Sequence, residues 1–136
     1  MARKSKIIID TNLWISFLLS RRYDFIDHLL STEKVQLIFS EELLKELAEV
    51  SSRPKLKKFF KKDDWRLILS IIESYAVFIP VASVLSKCRD KKDDFLLALA
   101  KDSKADYLLT GDKDLLVLKK IGGTKIITIS DFQAIL

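Results

Sequence analysis

Residues Arg89–Leu116 read RDKKDDFLLALAKDSKADYLLTGDKDLL, and this stretch decides the architecture. Phe95–Lys101 has the apolar spacing of a helix, whereas Asp106–Leu109 (DYLL) is a short apolar run of strand length, closed by Thr110 and Gly111. A helix feeding a short buried strand is the repeating unit of α/β proteins. Acid pairs flank both elements: Asp93 and Asp94 before the helix, Asp112 and Asp114 after the strand. Such aspartates either cap helices or converge to hold a metal ion.

The same alternation extends outward from this segment. Lys6–Asp10 (KIIID) places three consecutive isoleucines before a polar end, the pattern of a strand covered on both faces. Helical spacing follows at Asn12–Ser20 and Asp24–Leu30, then a second strand at Val35–Phe39 (VQLIF). Ser40 can cap the next helix, Glu41 and Glu42 complement its positive end, and Leu43, Leu44, Leu47 and Val50 form its apolar stripe. Pro54 breaks that helix and can open another. Asp63–Tyr75 is amphipathic, with Trp65, Ile68, Leu69 and Ile72 on one side. Ala76–Pro80 (AVFIP) reads as a third strand, Asp106–Leu109 as the fourth and Lys125–Ile129 (KIITI) as the fifth, with Gly122 and Gly123 turning before it. Leu115–Leu118 reads as a short helix that Asp112 can cap. Ser130–Gln133 (SDFQ) fits a capping box that opens a last helix. The expectation is one domain over residues 1–136: a three-layer α/β/α sandwich around a mainly parallel, five-stranded sheet.

Composition narrows the function. The 136 residues are 49% hydrophobic and 32% charged, as expected of a folded, soluble chain. A net charge of +5 favours a polyanionic partner. Cys88 is the one cysteine, which excludes an internal disulfide or a cysteine-rich metal site and suits a reducing compartment. The start MARKSKIIIDTNLWISFLLS imitates a signal peptide, but Asp10 and Asn12 interrupt its apolar part. No run reaches the ~18 apolar residues needed to span a bilayer. A cytoplasmic protein without membrane association is expected. His28, the one histidine, excludes paired-histidine acid–base chemistry within a subunit and reads as structural. Three glycines leave no P-loop or dinucleotide fingerprint, and no G-x-S-x-G elbow is present.

The placement of the acids carries more. Ligands of open parallel sheets bind beyond the carboxyl ends of the strands, where strand order reverses. Asp10 directly follows the first strand, Asp112 and Asp114 follow the fourth, Asp94 lies in the first turn of its helix, and Glu46 lies about two turns into the helix after the second strand. Two carboxylates ~4 Å apart repel by roughly 4 kcal/mol at an effective dielectric near 20. A cluster of them stays ionised only around a cation, and all-oxygen ligands suit Mg²⁺ or Mn²⁺. Each acid also has a plainer reading: Asp10 as a turn residue, Asp93, Asp94 and Asp112 as helix caps or dipole partners, Glu46 as a solvated helix residue.

Taken together, these motifs resemble PIN-domain ribonucleases, specifically the toxin components of VapBC-type toxin–antitoxin systems, over nearly the whole chain. IIIDTNLWIS is similar to the family's opening motif, which gives Asp10 the role of first metal-binding acid and Asn12 that of its polar support. SEELLKELAEVSSRPKL is similar to the second motif and carries over Glu46. The stretch quoted first is similar to the third and fourth, carrying over Asp94 and Asp112, with Thr110 as the hydroxyl that positions the site and Asp114 as an additional acid. Asp93 stands beside Asp94, and the motif leaves open which of the two is the primary ligand. Lys91 replaces a proline common in relatives. The resemblance implies Mg²⁺- or Mn²⁺-dependent hydrolysis of RNA leaving a 5′-phosphate, an antitoxin that covers the cleft, and a homodimer. The rivals are a non-catalytic RNA-binding or protein-interaction module, and a small Mg²⁺-dependent phosphatase, against which DTN lacks the second Asp of a D-x-D pattern.

The run RPKLKKFFKK holds six basic residues in ten: Arg53, Lys55, Lys57, Lys58, Lys61 and Lys62. With Phe59 and Phe60 interleaved, it reads as a surface that tracks RNA phosphates and stacks bases. The alternative is a solvated helix whose phenylalanines join the core.

Overall fold

A computed structural model describes residues 4–20, 24–59, 62–82 and 93–135. Strand β1 (Ser5–Ile9) buries Ile7, Ile8 and Ile9 alike. Successive side chains of a strand face opposite sides, so burial of all three means that both faces of the sheet are covered. The same holds for Leu37, Ile38 and Phe39 in β2 (Val35–Phe39) and for Leu108 and Leu109 in β4 (Tyr107–Leu109).

The covering helices are α1 (Thr11–Ser20), α2 (Asp24–Ser31), α3 (Glu41–Ser51), α4 (Pro54–Lys57), α5 (Lys62–Tyr75), α6 (Asp94–Ser103), α7 (Lys113–Leu116) and α8 (Ile129–Ile135). Trp14 of α1 packs edge-on to Phe17 and tilted against Phe39, at ring separations of 6.0 and 5.7 Å. Ile68 and Ile72 bury the inner side of α5, with Trp65 and Leu69 partly covered. Ser40 caps α3 as expected, its Oγ accepting the Leu43 N–H at 3.1 Å. Among the described residues no helix is long and apolar enough to cross a membrane.

Among the described residues the sheet has six strands, not the expected five, in the order β3-β2-β1-β4-β6-β5. Pairings β3–β2, β2–β1, β1–β4 and β4–β6 are parallel, while β5 (Lys120–Ile121) pairs antiparallel with β6 (Thr124–Ile127). The extra strand is two residues long, too short for a periodic signature. It exists because Gly122, at φ +55, closes a tight hairpin. Edge strand β3 (Ala76–Phe78) is shorter than expected and leaves Val77 and Phe78 36% and 44% exposed, having, among the described residues, a neighbour on one side only.

The last helix also begins earlier than its apparent capping box. Thr128, not Ser130, is the cap: its Oγ1 accepts the Asp131 N–H at 3.1 Å. That start buries Phe132 against Tyr107, with ring centroids 5.3 Å apart. Helix α7 likewise begins two residues ahead of the expected Leu115. His28 is exposed on α2 rather than packed. Phe60, Lys61, Cys88, Asp90 and Lys91 lie outside the described residues, as do the side chains of Lys62, Asp63 and Asp64.

Strand order reverses between β1 and β4: from β1 the chain moves to β2 and β3 on one side, then returns to place β4 on the other. The carboxyl ends of these two central strands therefore open the crevice where α/β sheets bind ligands.

Candidate functional site

Asp10 occupies that crevice. Its N–H donates to the Leu109 carbonyl at 3.0 Å, which continues the β1–β4 ladder, and its own carbonyl accepts the N–H groups of Leu13 and Trp14 as α1 begins. A residue that ends a central strand and starts a helix has a fixed backbone. Its carboxylate is fixed too: the Asn12 N–H donates to Oδ1 at 3.1 Å, and the Thr110 hydroxyl donates to Oδ2 at 2.6 Å. Only 3% of Asp10 is exposed. Burial pushes its pKa above the ordinary value, the bonds from Thr110 and Asn12 pull it back, and the charge of Asp112 raises it again.

Thr110 links the two strand ends. While donating to Asp10, its Oγ1 accepts the Asp112 N–H at 3.0 Å, and its backbone N–H donates to the Ile127 carbonyl. Asp112 caps α7, its Oδ1 accepting the Asp114 N–H at 2.8 Å. Capping and site membership thus coincide in one residue. Glu46 reaches in from α3, where its Oε2 accepts the Thr11 hydroxyl at 2.8 Å. Burial raises its pKa, the bond from Thr11 lowers it, the charges of Asp10 and Glu49 raise it, and Arg53 lowers it.

A cavity of about 160 Å³ joins these groups, lined by Asp10, Thr11, Asn12, Glu46, Val50, Arg53, Asp93 and Asp112. Asp10, Glu46 and Asp112 therefore share a cavity, and the acid from the start of α6 on its wall is Asp93. Asp94 and Asp114 are half-buried and are not among the lining residues. Asn12 lines the cavity, and its bond to Asp10 comes from its backbone.

Among the described residues, no group of three or more His, Cys, Asp or Glu side chains is arranged to hold a metal ion. Oxygens of Asp10, Glu46 and Asp112 are turned onto hydroxyl and backbone donors instead. The donor set itself, carboxylates without nitrogen or sulfur, fits a hard divalent cation.

Two lining residues have roles the sequence reading missed. Thr11 directly follows Asp10, and its bond to Glu46 joins α1 to α3. Arg53 was assigned to the basic surface, yet it stands seven positions after Glu46 and four after Glu49. Helix α3 ends at Ser51 and Arg53 is extended, so helical spacing does not place Arg53 at the cavity. Of the other basic residues, Lys55, Lys57 and Lys58 are exposed. Phe59 is 56% exposed and has not joined the core; the Lys58 ammonium lies 5.2 Å from its ring centroid.

The fold is an α/β domain with a buried acid at the reversal point of its parallel sheet and further acids brought to the same cavity from three other elements. The comparison by sequence is direct: residues 6–114 match the PIN domain model, and the chain belongs to the PIN domain family. PIN domains are in general nucleases, and those nucleases in general use divalent metals. The chain is 35% identical over 119 residues to the uncharacterized protein MJ1680 of Methanocaldococcus jannaschii, covering 85% of this chain and 76% of that one. In backbone it is similar to the PIN domain endonuclease Utp24, with a TM-score of 0.58, 23% identity and coverage of 91% and 84% of the two chains. It is also similar to VapBC2 from Rickettsia felis bound to a DNA fragment from their promoter, with a TM-score of 0.59, 16% identity and coverage of 89% and 96%. PAE2754 from Pyrobaculum aerophilum gives a TM-score of 0.59 at 18% identity, with coverage of 96% and 88%. At these identities the structural likenesses speak for the fold.

Proposed function

We propose that the chain is a metal-dependent endoribonuclease and the toxin of a VapBC-type pair. The observation that carries the reading is the shared cavity of Asp10, Glu46, Asp93 and Asp112 at the β1–β4 reversal. Asp10, Glu46 and Asp112, with Asp93 or Asp94, would hold Mg²⁺ or Mn²⁺, and Asp114 would support them through Asp112. When bound, the ion neutralises charge on the phosphodiester and makes water a better nucleophile. Thr110 keeps the Asp10 carboxylate aimed into the cavity, and Thr11 does the same for Glu46. One or more of these acids would also help to orient the attacking water. Arg53, Lys55, Lys57 and Lys58, with Lys61 and Lys62 beyond them, would follow the RNA backbone, and the exposed Phe59 ring offers a stacking face for a base. The chain is read as one nuclease unit acting in the cytoplasm, a homodimer silenced by an antitoxin. Family membership and the likeness to VapBC2 support that partner.

The test is incubation of mixed RNA with the protein in Mg²⁺ or Mn²⁺, mapping product ends. Cleavage leaving 5′-phosphates, lost on chelation and in Asp10→Asn, supports the reading. Growth arrest on induced expression, relieved by Asp10→Asn, tests the toxin role. The second reading, a non-catalytic RNA-binding or protein-interaction module, is favoured by one observation: the acid oxygens are engaged by internal donors. Binding of RNA without turnover in either metal would establish it.

A further inference from the structure

Arg53 is a cation on the wall of an anionic cavity, facing the space that Asp10, Glu46 and Asp112 also line. Its backbone is held on both sides. The Arg53 N–H donates to the Val50 carbonyl at 3.2 Å, and Pro54 favours the extended conformation it adopts, φ −62 and ψ 141. The side chain is held as well: Nε and Nη2 donate to the two Glu49 carboxylate oxygens at 3.2 and 3.0 Å. That fork occupies only part of the guanidinium's donors and leaves others for a second planar or tetrahedral anion. An ion pair with both side chains more than half exposed adds little to stability, so stability does not account for an arginine here.

Resting on the ribonuclease reading, we propose that Arg53 clamps a non-bridging oxygen of an RNA phosphate at the acid cavity. Glu49 is then the positioning residue that holds the guanidinium at the rim, keeping it from collapsing onto Glu46. Acids alone would repel the phosphate they are meant to serve. A cation resting directly on Glu46 would occupy the charge that a divalent ion needs. A sacrificial carboxylate one helical turn away resolves both conflicts.

The test pairs binding of a short fluorescent single-stranded RNA in EDTA, read by anisotropy across salt concentrations, with its cleavage in Mg²⁺ or Mn²⁺. Arg53→Ala is expected to weaken binding about tenfold and to lower the magnitude of the log–log salt slope by about 0.7. Arg53→Lys restores charge but not the fork, so it recovers the slope and only part of the affinity. Glu49→Ala is the sharper arm: bulk electrostatics says that losing an acid tightens RNA binding, whereas the positioning role says that binding weakens. In cleavage, Glu49→Ala should raise the divalent concentration at half-maximal rate, and adding Arg53→Ala should bring it back. Unchanged binding in Arg53→Ala overturns the clamp, and tighter binding in Glu49→Ala overturns the positioning role. If the wild type binds RNA but never cleaves it, the nuclease reading fails and the binding arms alone decide the clamp. If it does not bind RNA at all, the clamp falls with it.

Discussion

The Thr110 hydroxyl makes two bonds at once, donating to Asp10 and accepting from Asp112, in a position almost closed to water. Replacing it by valine keeps the shape but leaves a buried carboxylate oxygen and an N–H unsatisfied. Thr110→Val should therefore cost roughly 2 kcal/mol, read as a lower urea midpoint at unchanged slope. Asp10 behaves in the opposite way. Its pKa is raised, chiefly by burial, so the folded metal-free protein binds protons that the unfolded chain has already released. Its contribution is most favourable below the ordinary carboxylate range and declines as pH rises through the raised folded value. Asp10→Asn removes that dependence. The amide oxygen can still accept from Asn12, and the NH₂ can donate to Thr110. The variant should unfold at a higher temperature than wild type in EDTA near neutral pH, while cleavage drops by about a thousandfold or more. A lower midpoint for the variant in EDTA would contradict the electrostatic account of the site.

Helix α6 shows how an element is ended. Its C-cap, Lys104, adopts a left-handed conformation at φ 55 and ψ 41, which strains a residue with a side chain, and Thr124 from β6 bonds the Ala105 carbonyl beyond it at 2.6 Å. Lys104→Gly relieves the strain and should raise stability by ~0.5–1 kcal/mol in a denaturant titration. Ser40→Ala should cost about 1 kcal/mol, because the first turn of α3 loses its cap and Glu46 rides on that helix. Reduced divalent affinity in Ser40→Ala, alongside the stability loss, would show that the cap also places the acid.

For the molecule as a whole, the acid cavity and the surplus of positive charge make opposite demands. A divalent ion held in the cavity, as the proposed function requires, would relieve repulsion, so Mg²⁺ or Mn²⁺ should raise the thermal midpoint of the wild type and leave Asp10→Asn nearly unmoved. Outside it, net charge and the exposed residues Lys55, Lys57 and Lys58 with Arg53 favour a polyanion, RNA in the proposed function. Four phosphate contacts on a single strand predict roughly a fiftyfold loss of affinity for a fourfold rise in salt. A salt-independent affinity would remove the basic run from the interface.

Much of this protein was legible before any folding was considered. Isoleucines 7 to 9, the nearly continuous VQLIF run and the helix-to-strand segment around Leu108 point to a parallel sheet, because strands covered on both faces are apolar at nearly every position. Asp10 and Asp112 were legible as strand-end acids for the same reason. Tertiary structure alone decided which neighbours meet. Asp93, and not Asp94, is among the residues that line the cavity. Thr11 reaches Glu46 because α1 lies on α3, and Arg53, paired with Glu49 and followed by Pro54, comes to stand on the cavity wall. The two-residue strand β5 and the Thr128 cap escaped for a related reason. Hydrophobic periodicity records which side of an element is buried, whereas a single hydrogen bond between distant residues leaves no period in the sequence to read.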